Sequence, residues 1–125
     1  MDILNINAEE DTPKIIFDPQ NNKFEISGNS YPENSSEYYS PILDWLDQYC
    51  AKPNKYTKIV FKLNYFNSSS YKCLLEILYK LEKISKEGYK VDIIWYYNEG
   101  DTELKNVGQE LKEEVDLEIT VKKIR

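Results

Sequence analysis

The sequence predicts a single-domain α/β fold, a mixed sheet of about five strands with three helices. Three observations carry this. Apolar residues alternate with period two in several short runs and recur at helical spacing in three longer ones. From the middle of the chain onward the two patterns alternate, which implies right-handed crossovers and a parallel portion of sheet. The length of 125 residues, 41% hydrophobic and 30% charged, fits one domain around one core. Residues 1–125 carry no repeat, no low-complexity segment and no linker.

The first dozen residues, ending in Glu9-Glu10-Asp11-Thr12-Pro13, read as a further edge strand or a loose arm. Lys14-Ile15-Ile16-Phe17-Asp18 reads as a strand. Pro19-Gln20-Asn21-Asn22 reads as a turn, because proline presets φ and asparagine tolerates the left-handed region. Lys23-Phe24-Glu25-Ile26-Ser27 completes an antiparallel hairpin, closed by Gly28. Asn34, with Glu37 three residues later, has the form of a capping box. Ser40-Pro41 is a second helix-start signal. Proline deep in a helix costs about 3 kcal/mol. A short turn followed by a helix from Pro41 and one long helix therefore both fit. Ile42, Trp45, Leu46 and Tyr49 share one helical face, and Pro53-Asn54 ends the element.

Tyr56 to Tyr65 contains Ile59-Val60-Phe61 and Leu63, the pattern of a buried strand. Leu74, Ile77, Leu78, Leu81 and Ile84 then form a helical stripe that Gly88 stops as a left-handed cap. Tyr89 to Tyr97 reads as another central strand. Asp101 caps a third helix running to about Glu113, weakly apolar and interrupted by Gly108, and so the least stable of the three. Leu117, Ile119 and Val121 alternate in a last strand.

Composition removes several function classes. Net charge is −6, with a sequence pI of about 4.8. The one basic cluster, Lys122-Lys123-Arg125, is too small for a nucleic-acid interface, which draws its affinity from phosphate neutralisation. Histidine is absent, which excludes Ser-His, Cys-His and His-metal catalysis. Cys50 and Cys73 have no metal-ligand spacing and read as buried thiols of a reducing, cytoplasmic compartment. Neither a signal peptide nor a membrane span is visible, and no cofactor motif is present. Tyrosine is abundant, 11 residues against 4 glycines, which suits a half-buried sheet and a contact surface alike.

The most informative segment is Leu63-Asn64-Tyr65-Phe66-Asn67-Ser68-Ser69-Ser70-Tyr71-Lys72. A strand runs into it and a helix runs out. Loops after the C-terminal ends of parallel strands are where α/β sheets present function. Asn67 or Ser68 reads as the N-cap. A phosphate on one of these serines would meet unpaired backbone N–H groups and the positive end of the helix dipole. The glycines of a P-loop are missing.

Here the chain resembles the SiaC family of bacterial regulatory phosphoproteins. The resemblance rests on Gly28-Asn29-Ser30-Tyr31-Pro32-Glu33-Asn34, Tyr39-Ser40-Pro41-Ile42-Leu43-Asp44-Trp45-Leu46 and Leu63 to Ser70, with Thr12 to Asp18 and Ile94-Trp95-Tyr96-Tyr97 in support. It implies a fold similar to STAS-type anti-sigma factor antagonists and a non-enzymatic partner switch. A SiaB-like protein kinase phosphorylates the hydroxyl residue after the motif asparagine. A SiaA-like phosphatase of the PP2C type removes the phosphate. The unphosphorylated form activates a SiaD-like diguanylate cyclase, raising cyclic di-GMP and promoting biofilm. The matching residue here is Ser68, where this chain departs from the threonine known at that position in the family; serine is chemically equivalent for phosphorylation, and without the resemblance Ser69 is an equal candidate. Tyr31, Pro32, Glu33, Asn34, Tyr38, Tyr65, Asn67, Ser69, Ser70 and Tyr71 become the expected partner-binding residues.

Two other readings stand beside this one. A small enzyme would use carboxylates such as Glu33 and Asp101 in a deep pocket. A scaffold or oligomerisation module would use the serines only as helix caps.

Overall fold

The predicted hairpin and the strand–helix alternation join one sheet. The computed structural model describes residues 1–124. Its strands are β1 (Leu4–Ile6), β2 (Lys14–Asp18), β3 (Lys23–Ser30), β4 (Tyr56–Phe66), β5 (Lys90–Asn98) and β6 (Glu118–Ile124), and its helices are α1 (Ser35–Ala51), α2 (Ser68–Lys86) and α3 (Thr102–Glu114). The spatial order equals the chain order, β1-β2-β3-β4-β5-β6. β1, β2 and β3 pair antiparallel; β3, β4, β5 and β6 pair parallel.

This sheet has six strands, against the about five expected. The additional one is β1, in which Leu4 pairs with Phe17 and Ile6 with Ile15. Three residues are too few for periodicity to mark, and the strand exists because β2 offers an open edge.

The strand order decides which face is covered. Each parallel step moves the same way across the sheet, so right-handed crossovers put every helix on one side. In β4 the residues Thr57, Ile59, Phe61 and Leu63 are buried, while Lys58, Lys62 and Asn64 between them are exposed. β5 alternates likewise, with Val91, Ile93 and Trp95 buried and Asp92, Ile94 and Tyr96 half-buried. The strand expected to be buried, Tyr56 to Tyr65, is buried on one side only: the sheet has one covered and one open face.

An aromatic cluster fixes α1 over the hairpin. Trp45 lies 5.4 Å from Phe17 and stacks on Tyr49, which lies 5.1 Å from Phe24. α1 is one continuous helix with Pro41 inside it. Pro41 and Glu37, whose carbonyl loses its donor, are both exposed, so water replaces the missing hydrogen bond. Gly28 does not end the hairpin. It sits at φ 102 where the β3–β4 register shifts, and β3 continues to Ser30.

Gly88 closes α2 as expected. It has φ 106 and its N–H reaches the Ser85 carbonyl, while the Tyr89 N–H reaches Ile84. Gly108 has a different reason. α3 crosses the Trp95 ring so closely that a Cβ at Gly108 would lie 2.5 Å from Trp95 Cδ1 and 3.0 Å from Val121 Cγ2. Trp95 Nε1 donates to the Leu104 carbonyl at 3.0 Å from the same ring. The glycine that weakens α3 locally is what lets it dock.

Gly108→Ala is expected to destabilise the protein by about 1–3 kcal/mol, because overpacking against Trp95 outweighs the gain in helix propensity. A shift of the urea midpoint to lower concentration at unchanged slope checks it; a rise would place the helix further from the ring.

Candidate functional site

Parallel pairing brings two strand ends together. Ser30 pairs with Phe66, and the Asn67 N–H donates to the Ser30 carbonyl at 3.1 Å. The loops leaving β3 and β4 therefore run side by side, and α1 and α2 start next to each other. Asn34 caps α1 by accepting from the Glu37 N–H at 3.1 Å. Asn67, rather than Ser68, caps α2, accepting from the Ser70 N–H at 2.9 Å.

Between these helix ends lies a chain of hydroxyls. Ser69 Oγ donates to Asn67 Oδ1 at 3.1 Å. Ser35 Oγ is 2.8 Å from Ser69 Oγ and 3.3 Å from Ser70 Oγ. Ser30 Oγ is 2.8 Å from Ser70 Oγ and 2.7 Å from the Tyr39 hydroxyl. Each hydroxyl has one proton to give. Asn67 Oδ1 can only accept, so Ser69 donates to it, Ser35 to Ser69, Ser70 to Ser35, Ser30 to Ser70 and Tyr39 to Ser30. The order of donors is set from one end, and every buried proton has a taker. Burial raises the Tyr39 pKa further above the ordinary tyrosine value than the Ser30 contact lowers it, which keeps Tyr39 a neutral donor.

The three serines of the junction separate clearly. Ser70 is fully buried and Ser69 is exposed with its hydroxyl committed to the chain. Ser68 is the first residue of α2, exposed, and takes no part in these bonds. Ser69-Ser70-Tyr71-Lys72 also has the Ser-x-x-Lys spacing of some acyl-transfer nucleophiles, a correction to the sequence reading, which took that spacing to be absent. The Ser69 hydroxyl bonds instead to Asn67 and Ser35.

The expected contact residues divide in the same way. Tyr31 and Tyr65 are exposed, 37% and 55%, and meet edge to face at 5.8 Å beside the junction. Glu33 and Asn34 are exposed nearby. Pro32 and Ser70 are buried and offer little surface in this structure. Asn67 is occupied as the α2 cap. Tyr38 is half-buried, its hydroxyl donates to the Pro13 carbonyl, and burial pushes its pKa up to about 12. Tyr71 stacks on Phe66. Ser30, Ser35 and Tyr39 were missed by sequence reading. Hydroxyls flanking two helix starts are the visible signal, but nothing local pairs them.

Glu33 and Asp101 are not brought together. Glu33 lines a hollow with Asn34, Ser35 and Ser69, whereas Asp101, the cap of α3, lines another with Tyr65, Phe66 and Leu104. Among the described residues no cluster of acids or cysteines could hold a metal ion, and no helix is long and apolar enough to cross a membrane. Cys50 and Cys73 are free, and burial raises both thiol pKa values, Cys50 to about 11.

Removing the Ser70 hydroxyl is expected to cost about 1–3 kcal/mol, because Ser30 loses its acceptor and Ser35 its donor inside the protein. Ser68→Ala should stay within about 0.5 kcal/mol of the parent. Chemical denaturation of the two variants side by side checks both values. Raised tyrosine pKa values also set a pH dependence. A group whose folded pKa is raised contributes stability that is intact below the ordinary value of 10.0 and lost as pH climbs toward the folded value. Stability should fall from about pH 10 upward, through about pH 12, and less steeply in Tyr39→Phe.

Comparison with known proteins gives one consistent result. The family model described as "SiaC family regulatory phosphoprotein" matches residues 6–124. An uncharacterised protein of Pseudomonas aeruginosa (strain UCBPP-PA14) is 31% identical over 114 residues, 91% of this chain and 90% of that protein. SiaC of P. aeruginosa superimposes with a TM-score of 0.89 at 30% identity, covering 99% of this chain and 100% of its own. SiaC in its complex with the diguanylate cyclase SiaD, described there as SiaD's activator, superimposes with a TM-score of 0.90 at 28% identity over 97% of this chain and 99% of that one. With this agreement over nearly its whole length, the chain belongs to the SiaC family of regulatory phosphoproteins.

Proposed function

We propose that this protein is a non-enzymatic, cytoplasmic partner switch that binds and activates a diguanylate cyclase, and that a phosphate on Ser68 releases it. A protein kinase writes the mark and a PP2C-like phosphatase erases it. The cyclase partner is carried over from SiaC of P. aeruginosa, the activator in the SiaD complex. One observation carries the choice of residue. Of the three junction serines, Ser68 alone combines an exposed position at the start of α2 with a hydroxyl outside the buried chain.

The physics favours Ser68 over Ser69. Esterifying Ser69 removes the proton that it gives to Asn67 and forces a dianion against Ser35. Esterifying Ser68 leaves every internal bond in place. The added charge of about −1.5 to −2 sits at the positive end of α2, so the fold tolerates it. An acidic or apolar partner surface closed over Tyr31 and Tyr65 does not, because the phosphate must then be desolvated without a cation to receive it. A loss of about 3 kcal/mol lowers affinity more than 100-fold, enough for an on–off switch.

The reading is tested by cyclase activation with purified variants. Ser68→Ala is expected to bind and activate like the parent. Ser68→Asp, or protein phosphorylated on Ser68, is expected to lose about 100-fold in affinity while keeping its melting temperature. Full activation by protein phosphorylated on Ser68 would leave the serines as caps and favour a fixed scaffold.

A further inference from the structure

The open face of the sheet carries a pattern that the switch does not use. Its central row, Ile16, Glu25, Val60, Ile94 and Thr120, is matched strand to strand and is mostly apolar. The next row toward the β4 C-terminus pairs Lys14 with Ser27, Ser27 with Lys62, and Tyr96 with Lys122. Lys62 closes the row by lying over the Tyr96 ring, 5.4 Å from its centroid. The row thus crosses β2 to β6 with a lysine on every second strand and no acid. On a chain of net charge −6 this is a local reversal of sign. Only Lys62 has an ion-pair partner among the described residues, Glu25 at a long 3.8 Å. All three lysines are exposed.

We propose that this face is a second docking surface, which takes an acidic amphipathic segment of a protein partner laid across the strands. Charge and spacing both select that occupant. With strands about 4.8 Å apart, lysines on alternate strands stand about 10 Å apart. An acidic side chain at every seventh residue of a helix recurs at the same distance, given a rise of about 1.5 Å per residue. The apolar row of Ile16, Val60 and Ile94 beside the lysines receives the segment's apolar side. The acids of this face stand outside the lysine row: Glu25 lies in the central row, 3.8 Å from Lys62, and Asp92 pairs with Glu118 in the row beyond it, so Lys14 and Lys122, with no ion-pair partner among the described residues, carry the row's open charge. The surface is built on strands, away from the junction hydroxyls, so its occupancy is independent of Ser68.

The test is a titration of the full-length, isotope-labelled protein with an amphipathic peptide of about 18 residues, glutamate at every seventh position and leucines alongside. The same peptide with lysine in place of glutamate is the control. Shifts are expected on the open-face residues of β2 to β6 for the acidic peptide only. Affinity should fall about tenfold or more when Lys14, Lys62 and Lys122 are all changed to Glu, should fall in the same direction when all three are changed to Gln, and should be unaffected by Ser68→Asp. Thermal melts of the variants exclude unfolding as the cause. Equal binding of both peptides, shifts at the start of α2, tighter binding of a single-stranded nucleic acid to the same row, or no binding would each overturn the proposal.

Discussion

The site depends on a chain of hydroxyl protons. Tyr39, Ser30, Ser70, Ser35 and Ser69 each give one proton to the next, and the carbonyl oxygen of Asn67 takes the last. These groups come from β3, α1 and α2 and from the loop residue between β4 and α2. None can move alone without leaving a buried donor or acceptor unpaired, which costs more than the bond itself contributes. The chain therefore ties two helix starts to two strand ends, and the position of Ser68 follows from it. Ser68 is presented because its neighbours are consumed.

Rigidity at this point bears on how the proposed switch would work. A mark on a residue outside the hydrogen-bonded chain changes charge at the surface without needing to rearrange the interior. The positive end of α2 lowers the local cost of that charge. The discriminating energy then arises at the interface with a partner rather than in the fold. Such a device differs from phosphorylation that orders or melts a segment, because here the ordered state exists before the mark is added.

The sheet order has a comparable reach. Sequential parallel strands with right-handed crossovers put α1, α2 and α3 on one face and leave the other bare. Two aromatic anchors hold the covered face, Trp45 with Phe17 and Phe24 at one end and Trp95 under Gly108 at the other. The bare face is free to carry lysines, because no helix must pack on it.

Much of this was legible in the residue pattern. Period-two runs located five of the strands, the apolar stripes located the helices, and Asn34, Asp101 and Gly88 act as the caps that their types announce. These features are set by neighbours a few residues apart, so local chemistry specifies them. The tertiary structure decided the rest. β1 forms only because β2 leaves an edge to pair with. Gly108 reads as a helix breaker until Trp95 lies beneath it. β4 reads as a buried strand and β5 as a central one, and only the strand order shows that one face of each is left open. Ser30 and Ser35 are ordinary short polar residues until Ser30 pairs with Phe66 and brings two helix starts into contact. The sequence by itself determined which segments are strands and helices and where a hydroxyl cluster begins a helix. Only the folded chain decided which hydroxyls are spent in the chain of bonds and which one stays exposed outside it, because hydrogen bonds between residues 34 to 40 positions apart depend on pairing that no local signal encodes.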